Sequence, residues 1–290
     1  MKRILEHKAV VITGAGGGLG EAYARHAARL GAHVVVNDLD GKAAESTAEA
    51  IRAAGGEAVA SAGSVSSWDY AGALIDLCIS TFGRIDGLVS NAGILRHGKI
   101  VEMNERDLRA MLDVNVGGTA ACASHAIRAM LKQGTPGSIV NVASGSQAGD
   151  IALGGYAASK AGVAALTYSW AIELRNTNVR VNAVSPLAHT PMAETNMKLL
   201  AEQSANREVV YTKLPDAEVN APAVAFLLSD ASIGINGQIV RIAGNELSYN
   251  THPMIALPVL KGEWTDEAIA AAFRDTLKDR QQRLGLAYER

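Results

Sequence analysis

The sequence predicts an α/β fold: a doubly wound parallel sheet of seven strands, forming a single domain with a C-terminal extension. Three observations lead there. Short apolar runs rich in β-branched residues alternate with stretches of helical period, the first run ends in a cluster of glycines, and the second ends in an acid. The 290 residues are 48% hydrophobic, enough for one large core, and no Pro/Ser-rich linker or charge block divides them.

The first strand is Ala9-Val-Val-Ile-Thr13. The run Thr13-Gly14-Ala-Gly-Gly-Gly18-Leu-Gly20 follows, and then Leu19, Ala22, Tyr23, His26, Ala27 and Leu30 recur at helical spacing up to Gly31. Such a strand, tight turn and helix let the backbone approach a pyrophosphate, with free amides and a positive dipole end at the helix start. The spacing is G-x-x-x-G-x-G rather than G-x-G-x-x-G, so Gly14, Gly18, Leu19 and Gly20 are the candidate contacts.

The second strand, Val34-Val35-Val36-Asn37, ends in Asp38, 24 residues after Gly14 and near the offset expected for a carboxylate on an adenosine ribose. Asp38 would hydrogen-bond the 2′-hydroxyl and repel a 2′-phosphate, which favours NAD over NADP. No basic residue stands among Ala15, Gly16 and Gly17 or directly after Asp38, although Lys42 is near. The plainer reading of Asp38 is an N-cap for the helix starting at Gly41.

Further strands are predicted near 57 to 61, 86 to 90, 138 to 142, 179 to 184 and 238 to 242. They alternate with helices near 41 to 54, 67 to 82, 105 to 132, 156 to 176 and 219 to 228. At the start of the helix near 156 to 176, Tyr156 and Lys160 stand four residues apart and share a face. The lysine charge can lower the phenol pKa and make a usable acid/base; read alone, such a pair is more often an ordinary exposed one. Ser144 lies twelve positions upstream.

In this order the motifs resemble those of the short-chain dehydrogenase/reductase family, in its smaller, non-extended branch, from residue 13 to residue 244. Asn91-Ala92-Gly93 matches the Asn-Ala-Gly after the fourth strand, and Asn115, in Leu-Asp-Val-Asn-Val-Gly, matches the catalytic asparagine. Ser144 matches the catalytic serine, and Tyr156 with Lys160 the YxxxK pair. The resemblance implies a Rossmann-like sheet with NAD across the carboxyl ends of the strands, interconversion of a small-molecule alcohol and ketone, and a homodimer or homotetramer through the helices near 105–132 and 156–176. It also implies roles. Tyr156 exchanges a proton with the substrate oxygen, Lys160 lowers its pKa and holds the nicotinamide ribose, Ser144 orients the substrate oxygen, and Asn115 keeps a water in a relay from Lys160.

Three departures stand out. The interval from Ser144 to Tyr156 is one residue shorter than the family's, which leaves Ser146 as a competing candidate. Pro186 is followed by Leu187 where the family has glycine, and Thr190, the carboxamide-binding candidate, comes one residue early. Ser64-Val65 replaces the family's Asp-Val, so the Val65 amide or the Ser64 hydroxyl would meet the adenine. The run Gly14 to Gly20, Val34-Val-Val-Asn-Asp-Leu39, Ser64-Val65 and Pro186-Leu-Ala-His-Thr-Pro-Met192 together resemble the hydroxyacyl-CoA dehydrogenase part of peroxisomal multifunctional enzymes and related bacterial enzymes. The implied substrate is an (R)-3-hydroxyacyl thioester, with a hydroxysteroid or other bulky secondary alcohol as the alternative. Arg96, His97, Lys99 and Lys198 are the available cations for a CoA, or else solvated surface. A non-catalytic NAD-binding regulator is the alternative of another class; the intact Asn115, Ser144, Tyr156 and Lys160 set argues against it.

A net charge of −2 gives no sign of nucleic acid or anionic membrane, and no apolar stretch is long enough to span a bilayer. The first residues lack the apolar core of a signal peptide, and Cys78 and Cys122 lie within predicted helices, so buried free thiols in a reducing cytoplasm are expected. The seven histidines are scattered without ligand spacing, and no metal is expected. The domain is expected to span 1–245 and its extension 246–290. In the extension, Asn250-Thr-His-Pro253 and Pro258 exclude a regular element in the first half, and Thr265-Asp-Glu opens a helix near 265–281. Its apolar face packs on the chain's own surface, or the tail reaches the substrate cleft or a neighbouring subunit as a lid over 190–207.

Overall fold

The computed structural model describes residues 3–189, 214–282 and 284–288. Seven parallel strands form one sheet: β1 (Ala9–Ile12), β2 (His33–Asp38), β3 (Glu57–Ala62), β4 (Gly87–Ser90), β5 (Gly137–Val142), β6 (Val179–Leu187) and β7 (Ile239–Ala243). An eighth, β8 (Glu246–Asn250), pairs antiparallel with β7. The order is β3-β2-β1-β4-β5-β6-β7-β8, so the chain winds one way from β1 and returns to start the other way at β4. Loops leaving β1 and β4 therefore part and open a crevice at the strand carboxyl ends.

Both faces of the sheet are covered, which is why the strands read as continuous apolar runs. In β1, Val10 and Ile12 face one core with α1 (Gly18–Arg29), α2 (Gly41–Ala53) and a late helix, Ala221–Leu228. Ala9 and Val11 face the other, with α3 (Trp68–Phe82) and the helices Thr119–Gln133 and Gly154–Glu173. Each fully buried valine or isoleucine here contributes about 1.5–3 kcal/mol. Cys78 and Cys122 sit in the second core as buried free thiols.

The structure departs from the sequence reading in two elements. The long helix expected near 105 to 132 is α4 (Glu105–Met111), a π-helical segment (Leu112–Gly118) and α5 (Thr119–Gln133). The wide turn packs closely on Val65, from which a β-carbon on Gly118 would lie 2.6 Å, and locally the Thr119 hydroxyl donates to the Asn115 carbonyl at 2.7 Å. The second departure is β8, placed where no regular element was expected. Glu-Leu-Ser-Tyr-Asn has no strong strand signature; it forms a strand because Gly244, at φ +62°, turns the chain back onto the open edge of β7. Arg241 and Glu246 pair across that hairpin at 2.8 Å.

After α6 (Gly154–Glu173), β6, α7 (Ala221–Leu228) and the hairpin, the extension crosses back over α6, where His252 stacks on Tyr168 with ring centroids 4.2 Å apart. It then forms α8 (Asp266–Ala272), capped by Thr265, a π turn (Phe273–Leu277) and a short 3-10 turn (Lys278–Arg280). Among the described residues no helix is long and apolar enough to cross a membrane.

Candidate active site

The site is built on the loop between β1 and α1. Gly14 and Gly18 adopt φ +61° and +56°, which disfavour a side chain. At Gly20 a β-carbon would run into the Gly14 carbonyl and lie 2.6 Å from Asn91 Nδ2. The N-cap of α1 is Gly17, and no side chain caps the helix, so its first-turn amides stay available to an anion. A dinucleotide diphosphate fits that cradle. The adjoining cavity of about 1450 Å³ exceeds the roughly 300–1,000 Å³ of an ordinary small-ligand pocket, leaving room for a substrate beside the cofactor.

Asn91 braces this turn. Its Nδ2 donates to the Thr13 and Gly14 carbonyls at 2.9 Å each, while the Asn91 and Ala92 amides both donate to Thr13 Oγ1 at 3.0 Å. Thr13 is thus a second keystone, which only the spatial neighbourhood of β1 and β4 makes visible. Asp38, at the end of β2, accepts the Gly16 amide at 2.9 Å and the Asp40 amide at 3.0 Å, and it faces the cavity. The cap of α2 is Asp40, which accepts from the Lys42 and Ala43 amides; Asp38 is not the N-cap. Ser64 and Val65 line the same end, with the Ser64 hydroxyl bonded to that of Ser66 at 2.8 Å.

At the other end, Tyr156 and Lys160 are buried rather than an exposed pair, at 9% and 4% relative exposure. Ser144 follows β5, and its hydroxyl is close enough to the Tyr156 phenol to lower its pKa. The Ser146 amide donates to Ser144 Oγ at 3.2 Å, and of the two serines it is Ser144 that acts on the phenol. Lys160 Nζ donates to the Val142 carbonyl at 2.7 Å and lies 5.7 Å from the Tyr156 ring centroid. Burial pushes the Tyr156 phenol up to about 12, only partly offset by Ser144, and pushes the Lys160 ammonium down to about 8. The expected lowering of the phenol by Lys160 is not seen: the group that lowers it is Ser144, and desolvation outweighs that.

Asn115 is fully buried in the π-helical segment. Its Nδ2 donates to the Ile94 carbonyl and to Ser159 Oγ at 2.9 Å each, and its Oδ1 accepts the Ile94 amide at 2.8 Å. With both amide hydrogens committed to protein, the side chain fixes the loop after Gly93 against α6. A β-carbon on Gly93 would lie 3.2 Å from Asn115 Oδ1 and 3.6 Å from Lys160 Nζ.

One cavity thus collects Gly14, Gly18, Leu19, Gly20, Asp38, Ser64, Val65, Asn91, Ala92, Gly93, Ser144, Tyr156, Lys160 and Pro186, with Asn115 behind it. Thr190, Lys198 and the rest of the segment 190–207 lie outside the described residues. Arg96, His97 and Lys99 are not part of the lining. Sequence reasoning did not mark the apolar groups Ile94, Leu95, Ile151 and Leu187 as lining, and although it offered the tail as a cover of the cleft, it did not name residues 284–287, which line the cavity. Their hydrophobicity carries no local mark that separates lining from core.

The family model for short chain dehydrogenase matches residues 8–202. A 3-oxoacyl-[acyl-carrier-protein] reductase of Thermotoga maritima is 36% identical over 242 residues, 83% of this chain and 98% of the relative. Peroxisomal multifunctional enzyme type 2 of Drosophila melanogaster is 35% identical over 245 residues, 81% of this chain but 39% of that longer protein. The crystal structure of a short chain dehydrogenase from Mycobacterium avium superposes with a TM-score of 0.85 at 31% identity, covering 99% of this chain and 100% of that one.

Proposed function

Because the chain belongs to the short chain dehydrogenase family, and so is a nicotinamide-dependent oxidoreductase that interconverts an alcohol and a ketone by hydride transfer, we propose that it prefers NAD and acts on a 3-hydroxyacyl thioester. The cofactor preference rests on Asp38. Its carboxylate faces the cavity at the end of β2, and the nearby lining residues Gly17, Leu39, Gly63 and Ser64 carry no cation for a 2′-phosphate. The substrate class is supported by the acyl-carrier-protein reductase and peroxisomal relatives.

The glycine turn and the α1 amides would hold the diphosphate, Asp38 the adenosine ribose, Ser64 and Val65 the adenine, Lys160 the other ribose, and Pro186 with Thr190 the carboxamide. Bound there, a nicotinamide supplies or accepts the hydride. The chain's own part is proton handling. Tyr156, protonated at neutral pH, gives its phenol proton to a carbonyl oxygen during reduction and takes it back during oxidation. Ser144 holds that oxygen beside the phenol, and Lys160 supplies positive charge as the phenolate forms.

A second reading, a bulky apolar secondary alcohol such as a hydroxysteroid, is favoured by the wall of Ile94, Leu95, Ile151 and Leu187. Among the described residues that line the cavity, the cations are Lys160 and Arg241, and neither forms a CoA-phosphate cluster. The assembly in this reading is a homodimer or homotetramer through the π-helical segment, α5 and α6, which present exposed Leu112, Leu131 and Ile172. The compartment is a reducing cytoplasm, in keeping with two buried free thiols.

Following NADH absorbance with 3-hydroxyacyl-CoAs, hydroxysteroids and small cyclic alcohols tests these assignments. NAD is expected to exceed NADP by at least about tenfold in kcat/KM, a 1.4 kcal/mol difference, with Asp38→Ala narrowing the gap. Equal kcat/KM for the two cofactors would overturn the preference, and turnover confined to hydroxysteroids would replace the thioester.

A further inference from the structure

We propose that residues 284–287, near the end of the extension, form a wall of the substrate site and set the size of the carbon skeleton the enzyme accepts. The inference rests on the reading of the cavity as an alcohol/ketone site. All four residues line it, together with Ser144, Gly145, Ile151 and Tyr156. They lie more than a hundred residues along the chain from these last four, so their arrival beside them is a tertiary event.

Two contacts place the segment. A β-carbon on Gly145, the neighbour of Ser144, would lie 2.9 Å from Leu286 Cδ2. A side chain at position 145 would make the end of the Leu286 side chain shift away from the loop that carries Ser144. One residue earlier, Gly285 turns the chain at φ +77°, and a β-carbon there would stand 3.7 Å from the Gly149 carbonyl. The segment therefore lies along the loop from Ser144 to Asp150, and the stacking of His252 on Tyr168 ties the start of the extension to the helix that carries Tyr156.

The surface it offers is apolar. Leu286 is half-buried against Gly145, whereas Leu284 is 98% exposed and Ile151 48% exposed although both line the cavity. Exposed large apolar side chains gathered at a cavity mouth are surface that a hydrophobic skeleton covers on binding. A ligand carbon framework with its oxygen between Ser144 and Tyr156 would extend toward this collar.

The test compares full-length enzyme with a deletion of residues 283–290 and with Leu286→Ala, using 2-butanone and a decalone as small and bulky ketones. Loss of one leucine contact to a bulky skeleton is expected to lower the decalone-to-butanone ratio of kcat/KM by about tenfold, within the roughly 10–200-fold range of such pocket changes. A second readout needs no turnover: acrylamide should quench the fluorescence of bound NADH more strongly in the deletion. If no ketone is reduced by any form while quenching rises, the wall stands as a cover of the site, and the assignment of size selection and of these ketones falls. If quenching rises and the ketone ratio stays equal, the segment covers the site without selecting size and the proposal is overturned. Unchanged quenching and an unchanged ratio in both variants overturn it entirely.

Discussion

Tyr156 keeps its proton at neutral pH because the phenolate would be buried, and desolvation outweighs what Ser144 returns. In this role Tyr156→Phe removes the exchangeable proton and leaves the glycine turn intact. Turnover should fall by at least about a hundredfold while NADH binding, followed by fluorescence, stays near wild type. Retention of a tenth or more of kcat would refute the role. The pH dependence has a definite sign. With the phenol near 12, its base form grows tenfold per pH unit across the neutral and mildly alkaline range, so alcohol oxidation should climb from about pH 7 to about pH 10. Ketone reduction uses the protonated phenol and gains nothing there; as Lys160 loses its charge near 8, reduction should decline above that pH. Parallel profiles for the two directions would contradict this assignment.

Among the elements, the turn after β1 depends on β4 more than on its own glycines. Thr13 is buried at 2% exposure, and its hydroxyl oxygen accepts the Asn91 and Ala92 amides together. Thr13→Val keeps the shape but strands the Ala92 amide, while the Asn91 amide retains the Val89 carbonyl at 3.1 Å; an unsatisfied buried group costs about 1–3 kcal/mol. The urea midpoint should drop and NADH bind more weakly, with Thr13→Ser restoring both. A valine variant as stable and as tight-binding as wild type would show that the brace is unnecessary. The π-helical segment is the other element that tertiary contact shapes: its wide turn sets Asn115 to clamp Ile94 and Ser159 at once.

For the whole molecule, the doubly covered sheet places every strand's carboxyl end at one crevice, and the reversal between β1 and β4 keeps that crevice open. The helices flanking it on the α5 and α6 side leave Leu131 at 45% and Ile172 at 62% exposure. In the proposed assembly a second copy would cover these side chains. Light scattering should report a dimer or tetramer for wild type and a smaller mass for the Leu131→Asp, Ile172→Asp double variant. A monomeric wild type would defeat the assembly.

The alternation of strands and helices was legible in the sequence because apolar periodicity is a local property, fixed by which face of each segment is buried. The glycine turn, Asp38, Ser144 and the Tyr156–Lys160 pair were legible for the same reason, since each is a residue type required at a set distance from a strand end or helix start. What only the tertiary structure decided depends on groups far apart in the chain. The strand β8 exists because β7 has an open edge, Asp40 takes the cap that leaves Asp38 facing the cavity, and the phenol pKa follows burial instead of its charged neighbour. The approach of Leu286 to Gly145 belongs to this class too: a hydrophobic residue 141 positions away carries no sequence mark of the surface it will meet, and the space beside a glycine is filled only when the whole chain has closed.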